Sequence, residues 1–180
     1  EMQILFRNLC EECGLKGRIL LGKEGLNGGV SGEINKVEEF KKKLSKYPIL
    51  SDLKFREQET EKNSYLKLVV RVRDEVVVLG KPVDMSNKAE YVSPEELKEW
   101  LDGNDEIILL DTRNEYEYEI GRFKGAKVLP IDNFKELPDA VEKLDKIKNK
   151  KIVTYCTGGI RCEKATAYMK SVGFTNLFQL

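Results

Sequence analysis

The second half of the chain alternates short apolar runs with helical patterns, and this alternation restricts the fold more than any other feature. Glu106–Leu110, Ala126–Ile131 and Lys151–Tyr155 read as strands, and Asn176–Leu180 closes the chain as another. Between them, Leu137, Val141, Leu144 and Ile147 recur at helical spacing. A last helix is expected over about 163–172, with Ala165, Met169 and Val172 inward and Gly173 ending it. Strands that alternate with helices imply an α/β domain with a parallel sheet. Its start is marked by Ser93-Pro94-Glu95-Glu96, with serine at the N-cap, proline at the first helical position and glutamate three residues after the cap. That helix runs to Leu101 and stops near Gly103.

The first half reads differently. Residues 2–13 have helical apolar spacing, Ile19-Leu20-Leu21 is an apolar run, and residues 22–29 form a glycine-rich loop feeding a short strand around Val30. Ile34, Val37, Phe40 and Leu44 mark a second helix, and strands are expected at 52–57, 64–73 and 75–79. The order α-β-β-α-β points to a small α+β sandwich of the ferredoxin-like kind. Such a fold normally opens with a strand, which is missing here, so the chain is expected to be a fragment or to lack that strand. Residues 80–92 are polar and turn-rich, which places a linker at 83–92 between a domain over 1–82 and another over 93–180.

Composition narrows the chemistry. Lysine plus arginine and aspartate plus glutamate both number 31, so no global charge announces a nucleic-acid or membrane partner. No apolar run approaches the roughly 20 residues of a membrane span. Histidine is absent, which removes Cys-His pairs, Ser-His-Asp triads and histidine metal sites. The four cysteines, Cys10, Cys13, Cys156 and Cys162, do not form the dense framework of a secreted scaffold, so reduced thiols in the cytoplasm are expected. Cys10 and Cys13 have no second pair to complete a zinc site and read as helix packing.

Cys156 follows a strand, and Thr157, Gly158, Gly159, Ile160 and Arg161 separate it from the last helix. The two glycines let consecutive amides turn toward the sulfur, and the helix start and Arg161 add positive charge. Such settings favour thiolate over thiol. Cys162 is either a resolving thiol or a packed residue. Cys156 to Arg161 is C-x4-R, one residue shorter than the C-x5-R cradle of cysteine phosphatases, which suits sulfur chemistry better than phosphate. Asp111 and Arg113 fall at the carboxyl end of a parallel strand, where they either brace the loop or meet a substrate. Along 65–73, Lys67, Arg71 and Arg73 alternate with Leu66, Leu68, Val70 and Val72. On spacing alone, a solvated strand face is favoured over a phosphate grip.

Asp111–Glu117 (DTRNEYE), Gly121–Ala126 (GRFKGA) and the six-residue cysteine loop resemble a rhodanese domain, except that Arg122 stands where rhodaneses usually carry histidine. More specifically, Asn114–Gly121 and Tyr155–Ala165, with Lys23–Asn27 and Val70–Val77 in the first half, resemble the rhodanese-domain tRNA uridine hydroxylases. This resemblance covers nearly the whole chain. It implies an acylphosphatase-like domain followed by a rhodanese domain, with the essential cysteine at Cys156. It further implies oxygen-dependent conversion of the wobble uridine to 5-hydroxyuridine. The substrate would be tRNA, met at its anticodon loop, and molecular oxygen the co-substrate, with no metal and no other cofactor evident. Under it, Lys67, Arg71, Arg73, Lys23 and Asn27 become candidate RNA contacts. Members of the family continue past the position of Leu180, so a truncated C-terminus is expected. Two other readings stay open: a persulfide- or thiosulfate-dependent sulfurtransferase, and a non-catalytic RNA-binding module.

Overall fold

The computed structural model describes residues 1–51, 53–103 and 106–180. The chain divides into two compact units, Glu1–Val76 and Val77–Leu180.

The first unit is an α+β sandwich with one open sheet face. Helix α1 (Met2–Glu12) leads into β1 (Lys16–Gly22), β2 (Gly25–Ser31), α2 (Ile34–Leu44) and β3 (Leu68–Val72). The sheet order is β2-β1-β3, antiparallel between β1 and β2 and parallel between β1 and β3. Alternation along β1 buries Gly17, Ile19 and Leu21 and exposes Lys16 and Arg18. Phe6, Leu9, Cys10 and Cys13 from the first helical segment and Phe40 and Leu44 from α2 pack with Ile19, Leu21 and Val70 into one core. Both cysteines of the C-x2-C pair are therefore packing residues, and burial pushes Cys10 up to about 12.

Several expectations for this unit change. The glycine-rich stretch is a strand: Gly25–Ser31 pairs in full register with β1, leaving only Lys23 and Glu24 as the turn. Glycine's weak strand preference hid it. Of the strand expected at 64–73, only Leu68–Val72 forms, and Leu66 is 91% exposed. Before β3 the Tyr65 amide donates to Ser31 Oγ at 3.3 Å, across the sheet from β3's own neighbour, so the ladder starts late. Val72, expected inward, is 59% exposed. Residues 75–79 form no strand, since the Val76 amide donates to Glu24 Oε1 at 2.7 Å instead. Residue 52, where another strand was expected to begin, lies outside the described residues, and residues 53–57 are not strand.

The second unit carries β4 (Glu90–Tyr91), α3 (Pro94–Asp102), β5 (Ile107–Asp111), α4 (Glu115–Ile120), β6 (Lys127–Val128), α5 (Leu137–Glu142), β7 (Lys151–Tyr155), α6 (Ile160–Ser171) and β8 (Leu177–Gln179). The strands form one all-parallel sheet in the order β4-β8-β7-β5-β6. Leu110 and Ile152 face a core with α5 and α6, while Leu109 and Val153 face a second core with Leu97 and Trp100 of α3. Burial on both faces is why these strands read as continuous apolar runs. Ser93 caps α3 by accepting from the Glu96 amide at 3.1 Å, as its sequence predicts.

Here too some boundaries move. Helix α6 begins at Ile160, three residues earlier than expected, and places Arg161 and Cys162 in its first turn. The expected 126–131 strand is only Lys127–Val128, although Leu129 and Ile131 are buried. The 137–147 helix breaks after Glu142 and resumes as a single 3-10 turn at Asp145–Ile147. Between residues 83 and 92, Ala89 is buried and bonded through its amide to Thr166 Oγ1, and Glu90–Tyr91 joins the sheet.

Candidate active site

The carboxyl ends of β5 and β7 meet at one edge of the parallel sheet, the usual place for a ligand in such folds. Cys156 follows β7 there and is half-buried. The Gly159 amide donates to its Sγ at 3.0 Å. Gly159 takes φ +85°, a conformation that favours glycine, and this turns the amide inward. The Cys156 thiol is lowered to about 5. The largest cause is donation from the neighbouring Cys162 thiol, which with the Cys162 and Gly158 amides and the charge of Arg161 outweighs the opposing effect of burial. The loop thus favours the thiolate form of Cys156 over the thiol.

Cys162 has the opposite character. It is fully buried, with Thr112 Oγ1 3.6 Å from its sulfur, and its thiol is pushed well up by the same contact with Cys156 and by burial. Both effects favour the protonated form of Cys162.

Arg161 interacts with the Cys156 sulfur and also pairs with a carboxylate, Glu117, that the site residues named from sequence do not include. Its Nη1 and Nη2 lie 2.5 and 2.7 Å from the two oxygens of Glu117, and Nη2 also reaches Thr157 Oγ1 at 3.1 Å. Thr157 donates to Glu117 as well, at 2.8 Å. Glu117 accepts from the Asn114 amide that opens α4, so one carboxylate joins the helix start to the cysteine loop. The Arg161 bonds are the main reason Glu117 falls to about 2. The signal was present in the sequence as the last residue of the D-x-R-x-x-x-E string.

Asp111 is fully buried, yet its carboxyl stays below the usual range. Burial alone would raise it, and Arg113, with bonds from its amide and guanidinium at 2.7–3.2 Å, overcomes that together with the Tyr155 hydroxyl. Arg113 also donates to Gly121 O at 2.7 Å and lies over the Tyr155 ring. The pair thus braces the 113–121 connection against β7. An open pocket of about 390 Å³ lies above, lined by Arg113, Gly121, Arg122, Phe123, Tyr155 and Cys156. Arg122, Phe123 and Tyr155 had not been picked out as site residues, although GRFKGA carried two of them.

The candidate RNA contacts lie in the first unit. Lys67, Arg71 and Arg73 are exposed along and beside β3, Lys23 is at the tip of the β1–β2 turn, and Asn27 pairs opposite Leu20. The register adds Lys16 and Arg18 to the same exposed sheet face, because Arg18 pairs with Val69 and Leu20 with Arg71. Strands β1, β2 and β3 contain no aspartate or glutamate.

Residues 1–76 match the UPF0176 acylphosphatase-like domain, and residues 93–180 match the rhodanese-like domain. A tRNA uridine(34) hydroxylase of Legionella pneumophila is 47% identical over 173 residues, covering 94% of this chain and 67% of that protein. The chain belongs to the tRNA uridine(34) hydroxylase family. Further relatives of that name in Cytophaga hutchinsonii and Bacillus licheniformis are 39% and 40% identical over 95% of the chain, which spans 55% and 54% of their lengths. A solved rhodanese-like domain from Anabaena sp. superposes on 50% of the chain and 66% of its own, with a TM-score of 0.43 and 25% identity. In this chain the DTRNEYE and YCTGGIRC strings hold the Asp111–Arg113 and Glu117–Arg161 pairs and Cys156.

Proposed function

We propose that this chain carries the catalytic cysteine and part of the RNA-binding surface of a tRNA uridine(34) hydroxylase. The supporting observation is a thiolate at Cys156 that opens on a pocket large enough for a nucleotide, in a chain of that family. The substrate is the wobble uridine of tRNA, met at the anticodon loop, with molecular oxygen as the co-substrate, and a tRNA substrate goes with a cytoplasmic reaction. Putting one oxygen atom on C5 and releasing the other as water consumes two electrons and two protons, so a reductant belongs in the assay.

The loop from Thr157 to Arg161 keeps Cys156 anionic and holds it at the pocket, with Cys162 behind it. Asp111 with Arg113 and Glu117 with Arg161 fix the two segments that border the sulfur. The exposed face with Lys16, Arg18, Lys67, Arg71 and Arg73, together with Lys23 and Asn27, receives RNA phosphates. Tyr65 stands over Gly29 on that face and offers a ring among the cations. A sulfurtransferase would use the same loop, but the names of the relatives favour hydroxylation.

The test is nucleoside mass spectrometry of tRNA incubated with the protein, oxygen and a reductant. Cys156→Ala is expected to lose 5-hydroxyuridine. Undiminished product in that variant would remove the cysteine from the mechanism.

A further inference from the structure

Arg113 and Arg122 line one pocket with Cys156, Arg161 belongs to the cysteine loop, and two of these three arginines are already paired with carboxylates. Arg113 is held by both oxygens of the buried Asp111, and Arg161 by both oxygens of Glu117. Arg122 differs. It is exposed, its guanidinium sits 5.7 Å from the centroid of the Tyr118 ring, and it makes no ion pair among the described residues. It lines the same pocket as Cys156, beside Phe123, which is 44% exposed and packed edge-on against Tyr155 at 4.8 Å. The pocket wall therefore combines one uncompensated cation, one accessible aromatic ring and one sulfur anion.

A polyanion approaching a thiolate meets like-charge repulsion, and a cation at the rim offsets it. Guanidinium matches phosphate oxygens in a two-bond geometry, and an aromatic face takes a base. We propose that Arg122 is the phosphodiester contact that seats the nucleotide over Cys156, with the Phe123 ring as the wall against its base. This rests on the tRNA reading above and assigns one residue a specific part in it.

The charge contact can be read without RNA by a pair of alkylating reagents that differ in charge. Iodoacetate and iodoacetamide both alkylate a thiolate with loss of iodide, and only the first is an anion. Rates at Cys156 are followed by mass spectrometry of its peptide at low salt and about pH 7.5, where this thiol is ionised. The iodoacetate-to-iodoacetamide rate ratio is expected to fall about three- to fivefold in Arg122→Gln and to return in Arg122→Lys. In parallel, KM for tRNA is expected to rise about fivefold in Arg122→Gln, with the effect fading as salt is added. A ratio and a KM both unchanged, with hydroxylation intact, overturn the Arg122 contact and leave the tRNA reading standing. A ratio that falls as expected in a protein that hydroxylates no tRNA supports the anion contact and overturns the tRNA reading.

Discussion

Two adjacent glycines in the cysteine loop have different physical roles. Gly159 is buried, sits at φ +85° and aims its amide at Cys156 Sγ from 3.0 Å. Gly158 is exposed, lies outside the positive-φ region, and a Cβ there would meet nothing within 4 Å. Only Gly159 therefore depends on lacking a side chain. Gly159→Ala is expected to destabilise the unit by about 1–2 kcal/mol through left-handed strain. It should also raise the Cys156 pKa, because the amide shifts off the sulfur. Gly158→Ala is expected to stay within about 0.5 kcal/mol of wild type. Thermal melting and the pH profile of Cys156 alkylation check both, and equal effects from the two substitutions would refute the distinction.

At the scale of elements, α4 and the start of α6 are joined by Glu117, whose bonds to Arg161, Thr157 and the Asn114 amide converge on one carboxylate. Its pKa is lowered from 4.5 to about 2, so the stabilisation is fully present above about pH 4.5 and is lost as pH falls through about 2. Glu117→Gln is expected to reduce stability at pH 7 by up to about 3 kcal/mol, and its deficit against wild type should shrink between pH 4.5 and 2. Denaturant titrations across that range measure it, and a deficit independent of pH would argue against the ion pair. The same latch marks how far the sequence could be read. The strings holding Asp111, Arg113, Glu117 and Arg161 were visible, as were α1, α2, α3, β5 and β7, because periodicity and capping are local. Which carboxylate takes which arginine was not visible, because α4 is six residues long, too short for periodicity to show, and its placement is tertiary. β2 was legible only around Val30 because three glycines in its seven residues mask a strand, and the strand expected at 75–79 failed because an apolar run cannot tell a ladder strand from a segment tied to Glu24.

Over the whole molecule, 31 basic and 31 acidic residues balance, yet they are not evenly spread. Many surface lysines pair with glutamates, as Lys36, Lys41 and Lys43 do on α2. Lys16, Arg18, Lys67, Arg71 and Arg73 are exposed and make no ion pair among the described residues, and the three strands behind them hold no carboxylate. A neutral protein can therefore present a strongly basic sheet face to RNA without being attracted to every polyanion through net charge. Arg18 on the central strand β1 and Arg71 on the neighbouring edge strand β3 share one face, two positions apart in the register. If each meets a phosphate, the double change Arg18→Gln with Arg71→Gln removes two contacts and should reduce the slope of log affinity against log salt by about 1.4–1.8. Filter binding of tRNA over a salt series measures that slope. Because the exchanged side chains lie on the open face, away from the Ile19, Leu21 and Val70 core, the melting temperature should hold. Loss of affinity with an unchanged slope would point to misfolding or to a non-ionic contact, and an unchanged affinity and slope would take this face out of RNA binding altogether.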